Sequence, residues 1–298
     1  MVAQAKQDAV IMESPKRVNE FRRFLKVFLG RPVVIMGMVI VLALFILAVF
    51  PNFLAPYRPT QMDMKSVLAQ PSHQHWLGTD SLGRDLLSRI IWGARTACAV
   101  GFGALLLSSI SGMILGLVAG YFGGLAFTII MRIVDALMAF PAILLVLIIA
   151  ALLGGGMAMV ILALGFGMMT GYARVMCGQA ITIKENDYVM AARSLGASNS
   201  RVMFRHILPN AFPPIIVMMT IMIGSTILAE AGLSYLGVGI KEPTVAWGSM
   251  VNDGYKYLLT NPMLSLAPGI AIILVVFGFN MVGDGLRDAL DPRLRGTL

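Results

Sequence analysis

The chain has 298 residues, of which 58% are hydrophobic and only 13% are charged. Soluble domains carry about 25% charged and 45–50% apolar residues, so this composition excludes an ordinary water-soluble fold and indicates a protein that lies in a bilayer. The net charge of +8 does not indicate nucleic-acid binding, because the cations lie mostly between apolar stretches and form no basic stripe interleaved with aromatic residues.

The first 31 residues are polar and basic, and they are too long and too charged for a cleavable signal peptide. The apolar run that follows is therefore interpreted as an uncleaved membrane anchor. A membrane-spanning helix needs about 20 apolar residues, and this length predicts six spans: residues 33–54, 97–122, 127–153, 157–176, 213–236 and 266–282.

Each span must be a helix, because lipid offers no hydrogen-bond partner to an unpaired backbone group. About two thirds of the 23 Lys and Arg residues lie in segments that share one side of the membrane if the N-terminus is cytoplasmic. The positive-inside rule then places both termini in the cytoplasm. The predicted fold class is an all-α integral membrane protein with six transmembrane helices.

Small residues and prolines indicate how the spans pack. In the second span small residues recur every fourth position, at Ser108, Gly112, Gly116 and Gly120. This spacing predicts a groove in which another helix approaches closely. Pro141 in the third span and the pair Pro213–Pro214 in the fifth are expected to bend or begin helices.

Few charged residues fall inside the predicted spans. Arg132 and Asp135 are three residues apart near the predicted cytoplasmic end of the third span, where they could pair with each other. Glu230 lies late in the fifth span. For these three residues a position on the translocation path and a contact between helices both stay open.

Motifs that would carry enzymatic chemistry are absent from the sequence. There is no GxxxxGK[ST] phosphate loop, no HExxH and no GxSxG. Cys98 and Cys177 lie in or beside apolar runs and form no CxxC pair, and His206 is far from His73 and His75 in sequence, so no metal or redox site is predicted. We therefore expect a protein without an active site of its own.

The longest predicted cytoplasmic loop covers residues 177–212. Asn186 or Asp187 is suited to cap a short helix, which ends at the glycine turn of Gly196. Ser198 or Asn199 would cap a second short helix that ends before Pro209.

The first loop helix is amphipathic. Its apolar residues Tyr188, Ala191, Ala192 and Leu195 are predicted to share one face. Such a face at the membrane surface favours docking to a partner protein, and a solvated connector is the alternative.

The same loop resembles the signature loop of ATP-binding-cassette (ABC) importer permeases. The shared positions are Met190-Ala191-Ala192, Gly196 and Leu208-Pro209. Met190 stands where the family often has Glu, and His206 stands at an Ile position. Without this Glu, a salt bridge to the ATPase at this position is not expected from the resemblance, although the docking itself still is.

Three further segments resemble dipeptide and oligopeptide permeases of this family. They are residues 75–95, residues 233–239 with Trp247-Gly248, and residues 283–293. The blocks occur in family order, and the resemblance covers nearly all of the chain after residue 20. The family tends to be richer in proline at residues 241–245, so contact with a delivery protein could differ there.

This resemblance implies a type I ABC-importer permease fold that translocates di- or oligopeptides across the bacterial cytoplasmic (inner) membrane as a multi-pass protein. The implied partners are a second homologous permease subunit, two ATPase subunits, an extracytoplasmic peptide-binding protein and membrane lipid, with no nucleic acid. The chain itself would hold no cofactor, because ATP and Mg would bind to the ATPase subunits.

The resemblance also implies a division of the chain and a set of site residues. Residues 1–32 would be a cytoplasmic segment, 33–285 the permease domain with the coupling loop 177–212, and 286–298 a cytoplasmic tail. The residues implied in ATPase coupling are Asp187, Tyr188, Ala191, Ala192, Arg193, Leu195, Gly196, Leu208 and Pro209.

Other functions remain as alternatives. An importer of the same architecture could carry nickel chelates, glutathione or antimicrobial peptides. A stand-alone secondary transporter or channel is less favoured, because no paired interruption of two spans is visible. A membrane enzyme is disfavoured by the missing motifs.

Overall fold

The computed structural model describes residues 20–290, and throughout this range the regular elements are helices. In chain order they are α1 (Glu20–Leu29), α2 (Pro32–Val49), α3 (Pro51–Leu54), α4 (Leu86–Phe122), α5 (Gly124–Met138), α6 (Ala142–Leu153) and α7 (Met157–Lys184). They continue with α8 (Asp187–Ser194), α9 (Asn199–Arg201), a π-helical segment (Val202–Ile207), α10 (Leu208–Tyr235), α11 (Trp247–Tyr255) and α12 (Met263–Leu290).

Five helical stretches are long and apolar enough to cross a membrane, namely α2, α4, α7, the continuous helical stretch Asn199–Tyr235, and α12. The sixth crossing consists of α5 and α6, which meet at an angle of 92°. Neither of these two helices spans about 30 Å of hydrocarbon at 1.5 Å per residue. The predicted third span over residues 127–153 is therefore made of two helices, and the predicted count of six holds when this bent pair is one crossing.

Pro141 explains the break in this crossing. Proline lacks an N–H, and it disfavours helical geometry at the residue before it. Pro141 has ψ 125° and stands directly before α6, so a new helix begins there. The expectation that Pro141 bends or begins a helix is confirmed.

Several spans differ in length from the hydropathy-based bounds: α12 continues to Leu290, beyond the predicted residue 282, and α2 ends at Val49, before the predicted residue 54. Helix α4 begins at Leu86, because the Asp85 carboxylate accepts a hydrogen bond from the backbone N–H of Ser88 and so caps the helix. The predicted start at residue 97 was too late, because Arg89 and Arg95 lower the hydropathy of the first turns. Helix α7 likewise continues past residue 176 to Lys184.

The second loop helix does not end before Pro209, which contradicts the sequence-based expectation. From Asn199 the chain stays helical to Tyr235, so Pro213 and Pro214 lie inside α10 and do not begin it. The π-helical turn at 202–207 accounts for this result. Its hydrogen bonds join residues five apart in sequence, whereas those of an α-helix join residues four apart, and Pro209 falls in the first turn of the α-helical segment that follows. The first turn of an α-helical segment is the position in which proline is tolerated best.

The groove predicted on α4 is occupied by α7. A Cβ added to Gly112, Gly116 or Gly120 would lie closer than 3.0 Å to the backbone of α7, at Met169, Ala173 and Cys177. The two backbones therefore approach as closely as small residues allow, and this prediction is confirmed.

The ends of the spans define two opposite faces. On one face residues 55–85 contact the segment 236–262, as the bond from the Gln70 side chain to the Thr260 carbonyl shows. On the other face Arg31, directly before α2, forms an ion pair with Asp288 near the end of α12. Both described ends of the chain thus lie on the face opposite residues 55–85.

Candidate functional site at the cytoplasmic loop

The turn at Gly196 has the geometry expected for the end of the first loop helix. Gly196 has φ +80°, a left-handed conformation that costs other residues about 1 kcal/mol or more. Its N–H donates to the Arg193 carbonyl at 2.9 Å, and the N–H of Ala197 donates to the Ala192 carbonyl at 3.1 Å. These two bonds form a Schellman motif, so the glycine turn is confirmed.

The inner face of α8 is anchored in the protein core. Val189 is completely buried and belongs to the same cluster as Ile183, Val202 and Ile207. Sequence reasoning did not name Val189, although it is three residues before Ala192 and thus on the same side of the helix.

Polar bonds join this loop to the end of α4. The Tyr121 hydroxyl donates to the Asn199 side chain at 2.7 Å, and the Arg193 guanidinium lies 5.9 Å from the centre of the Tyr121 ring. The Lys184 ammonium donates to the Gly120 carbonyl at 3.2 Å. The loop is therefore a rigid extension of α4 and α7.

The outer face of α8 is apolar and exposed. Tyr188, Ala191 and Leu195 lie on it, and the Leu195 side chain is 89% exposed. Ala192 is half-buried at its edge. This surface, made by Tyr188, Ala191 and Leu195, is called the docking face below.

The remaining residues implied in coupling lie at the borders of the loop. Asp187 and Arg193 are exposed at the two ends of α8, Pro209 is exposed at the start of α10, and Leu208 is half-buried against the core. Ser198 caps the helix that follows Gly196, its hydroxyl accepting from the Arg201 N–H at 3.4 Å. The structure thus selects Ser198 over Asn199 as the cap.

The three charged residues that the sequence assigned to the predicted spans are not brought together. Asp135 forms an ion pair with Arg174 of α7 and not with Arg132, so it contacts a neighbouring helix. Arg132 is exposed on α5. Glu230 is 2% exposed and accepts a hydrogen bond from Ser234 at 2.7 Å, a contact within the protein.

A second polar cluster lies on the face formed by residues 55–85, and sequence reasoning missed it. Arg84 donates to Asp80 at 2.7 Å and to Glu242 at 2.6 Å, and Arg89 reaches Glu242 at 3.3 Å. These four residues are called the outer ion cluster. The close spacing of Asp80, Arg84 and Arg89 was the one feature of the sequence that could have indicated an ion cluster, because Glu242 is distant in sequence.

The charges of this cluster stabilise one another. Partial burial raises the pKa of Glu242, but the hydrogen bond from Arg84 and the charges of Arg84 and Arg89 outweigh it and hold this pKa below its usual range. Burial lowers the pKa of Arg84, and its bonds to Asp80 and Glu242 more than compensate. For Arg89, burial and the charge of Arg84 lower the pKa despite the opposite effect of the carboxylates.

Comparison with known proteins places the chain in a family. Residues 112–296 match the family described as "Binding-protein-dependent transport system inner membrane component". Residues 19–71 match the N-terminal transmembrane domain of oligopeptide transport permease C.

Individual relatives are similar over almost their whole length. The chain is 41% identical to a glutathione transport system permease protein of Pectobacterium atrosepticum over 276 residues, which is 92% of each chain. It is 39% identical to a dipeptide transport system permease protein of Alkalihalophilus pseudofirmus, covering 93% of this chain and 91% of that one. An oligopeptide transport system permease protein of Bacillus subtilis is 37% identical over 95% of this chain and 92% of its own.

A solved structure has the same fold. A chain of the MetNI methionine ABC transporter, in an inward-facing conformation, superposes with a TM-score of 0.54 at 19% identity, covering 69% of this chain and 96% of that chain. At this identity the likeness concerns the arrangement of helices. Together with the family match and the relatives, it shows that this chain belongs to the binding-protein-dependent inner-membrane components, the permease subunits of ABC importers.

Proposed function

We propose that this chain is a transmembrane subunit of an ABC importer that moves di- and oligopeptides across the inner membrane, driven by ATPase subunits on separate chains. The names of the similar permeases state dipeptide, oligopeptide or glutathione transport. Glutathione is itself a short peptide, so all three cargoes share an amide backbone and charged ends.

The observation that carries this proposal is the construction of the coupling loop. Val189 packs α8 on the core, and Tyr121 of α4 bonds to Asn199 at the start of α9, while Leu195 is 89% exposed. A large apolar side chain presented on a rigid turn suits a groove on a partner. A packed element also transmits a displacement that a flexible loop would absorb.

The partners follow from this role. In our proposal two ATPase subunits dock below the permease subunits and bind ATP and Mg, and their ATP-driven closure pushes on the coupling loop. A second permease subunit completes the translocation path, and an extracytoplasmic binding protein delivers the peptide. Within this chain residues 33–285 form the permease domain, with residues 177–212 as the coupling loop, residues 1–32 before it and residues 286–298 after it.

Glutathione is the second candidate cargo, because permeases named for glutathione are 41% and 39% identical to this chain. Competition separates the two cargoes. Uptake of labelled glutathione would resist excess unlabelled tri-alanine if glutathione is the preferred cargo, and tri-alanine would block it if the importer takes peptides in general.

A charge on the docking face tests the proposal. We expect Leu195→Asp to leave the amount of permease in the membrane unchanged, because the side chain is already exposed. Placing a carboxylate in an apolar contact costs several kcal/mol, so the ATPase subunits should be lost from the complex and peptide uptake should cease. The measurements are uptake of a labelled tripeptide and the ATPase retained on a tagged permease.

Leu259→Asp is the matched control, since Leu259 is 100% exposed on the opposite face of the protein. This variant should retain the ATPase subunits as the wild type does. If Leu195→Asp also kept both ATPase and uptake, the docking role of the loop would be wrong.

A further inference from the structure

A cleft opens on the face formed by residues 55–85. Its volume is about 340 Å³, within the range of small-molecule sites. Its lining combines the first turns of α4 with the segment after Glu242, chiefly Trp92, Arg95, Thr96 and Val245. One wall is thus aromatic and apolar, and Arg95 brings a permanent positive charge.

Arg95 differs from the two arginines that precede it on the chain. Arg84 and Arg89 are buried and paired with carboxylates of the outer ion cluster. Arg95 is exposed, and within residues 20–290 it forms no ion pair. Its charge is therefore available to a ligand.

No acidic residue lines the cleft. The nearest acidic residue in sequence to its far wall is Glu242, which precedes Pro243. Its carboxylate is already bound by Arg84 at 2.6 Å and Arg89 at 3.3 Å. The outer ion cluster thus neutralises the one carboxylate adjacent to this wall and leaves the cleft positive.

We propose that this cleft is a transient binding site for peptide substrates, in which the Arg95 guanidinium receives the C-terminal carboxylate. A planar guanidinium matches a carboxylate with two parallel hydrogen bonds. The Trp92 ring offers an apolar surface that accepts varied side chains. The site therefore selects for the carboxylate that all free peptides share and tolerates differences in sequence.

This inference rests on the proposed function, and it adds a selective step within the permease itself. The test uses the complete importer in proteoliposomes with its binding protein. Uptake of tri-alanine is compared with uptake of tri-alanine amide, for the wild type, Arg95→Gln and Arg95→Lys. Each variant is compared with the wild type for the same peptide, so a preference of the binding protein cancels.

We expect Arg95→Gln to lower the uptake rate of tri-alanine about tenfold at subsaturating peptide, the effect of losing a charge-assisted hydrogen bond. Uptake of the amide should change less than about twofold by comparison. Arg95→Lys should restore part of the lost uptake, since it keeps the charge without the planar fork. Lys256→Gln, which removes an exposed cation outside the cleft, should leave both rates unchanged.

The other outcomes overturn the inference in distinguishable ways. Equal losses for tri-alanine and its amide would assign Arg95 to a protein contact, such as an acidic surface of the binding protein. Unchanged uptake in Arg95→Gln would show that the cleft binds no carboxylate. If the wild-type importer moved neither peptide, the proposed function would fail, and this inference with it.

Discussion

At the scale of single residues, the outer ion cluster joins two distant segments of the chain. Arg84 and Arg89 are 5% and 3% exposed, and the Glu242 carboxylate contacts both. Removing its charge in Glu242→Gln leaves Asp80 as the only carboxylate for two buried guanidinium groups. We expect this change to lower the free energy of unfolding by about 1–3 kcal/mol, measured as a lower thermal unfolding midpoint in mild detergent.

The matched control is Asp253→Asn, which removes an exposed carboxylate on the same face. It should leave the midpoint within experimental error. An equal loss of stability in both variants would contradict a specific role for Glu242.

The same cluster predicts a pH dependence. Because the pKa of Glu242 is depressed in the folded protein, its contribution is complete well above the ordinary glutamate value of about 4.3 and is lost as pH falls through the lower folded value. The difference in unfolding midpoint between wild type and Glu242→Gln should therefore be largest at neutral pH and shrink below about pH 4.

At the scale of secondary-structure elements, the contact between α4 and α7 depends on glycine. An added methyl group at Gly116 would overlap the Ala173 carbonyl and the Met176 side chain. Backbone cannot move aside as a flexible side chain does, so the two helices would have to separate. We expect Gly116→Ala to destabilise the protein by about 1–3 kcal/mol, seen as a lower unfolding midpoint and less protein in the membrane.

Gly269→Ala provides the comparison, because a Cβ at this helical glycine of α12 meets no atom within 4 Å. It should be neutral or slightly stabilising, since alanine has the better helix propensity. A neutral Gly116→Ala would refute the tight packing of the groove.

At the scale of the whole molecule, orientation in the membrane is testable by chemical labelling. Ser200 is exposed within the coupling loop, and His73 is exposed on the opposite face. In intact cells a membrane-impermeant thiol reagent should label His73→Cys and leave Ser200→Cys unlabelled, because the excess of Lys and Arg keeps the loop in the cytoplasm.

Native thiols interfere little with this experiment. Cys177 is buried and Cys98 is half-buried, and a variant lacking both gives the background. If Ser200→Cys were labelled and His73→Cys were not, the protein would have the opposite orientation in the membrane and the predicted topology would be wrong.

Some properties follow from local sequence because they depend on neighbours in the chain. Apolar runs of span length determine membrane insertion, and the spacing of Gly112, Gly116 and Gly120 determines which face of α4 accepts a helix. Gly196 ends the first loop helix because its φ of +80° suits glycine. Pro141 begins a helix for an equally local reason, its missing N–H.

Tertiary structure decided what depends on distant partners. The chain could stay helical past Pro209 because a π-helical turn, packed through Val202 and Ile207 on the core, changed the hydrogen-bond register. Glu242 bonds to Arg84, which lies more than 150 residues away in sequence, and Asp135 pairs with Arg174 on another helix. Local propensity carries no information on such pairs, because their energy arises only once the helices have packed.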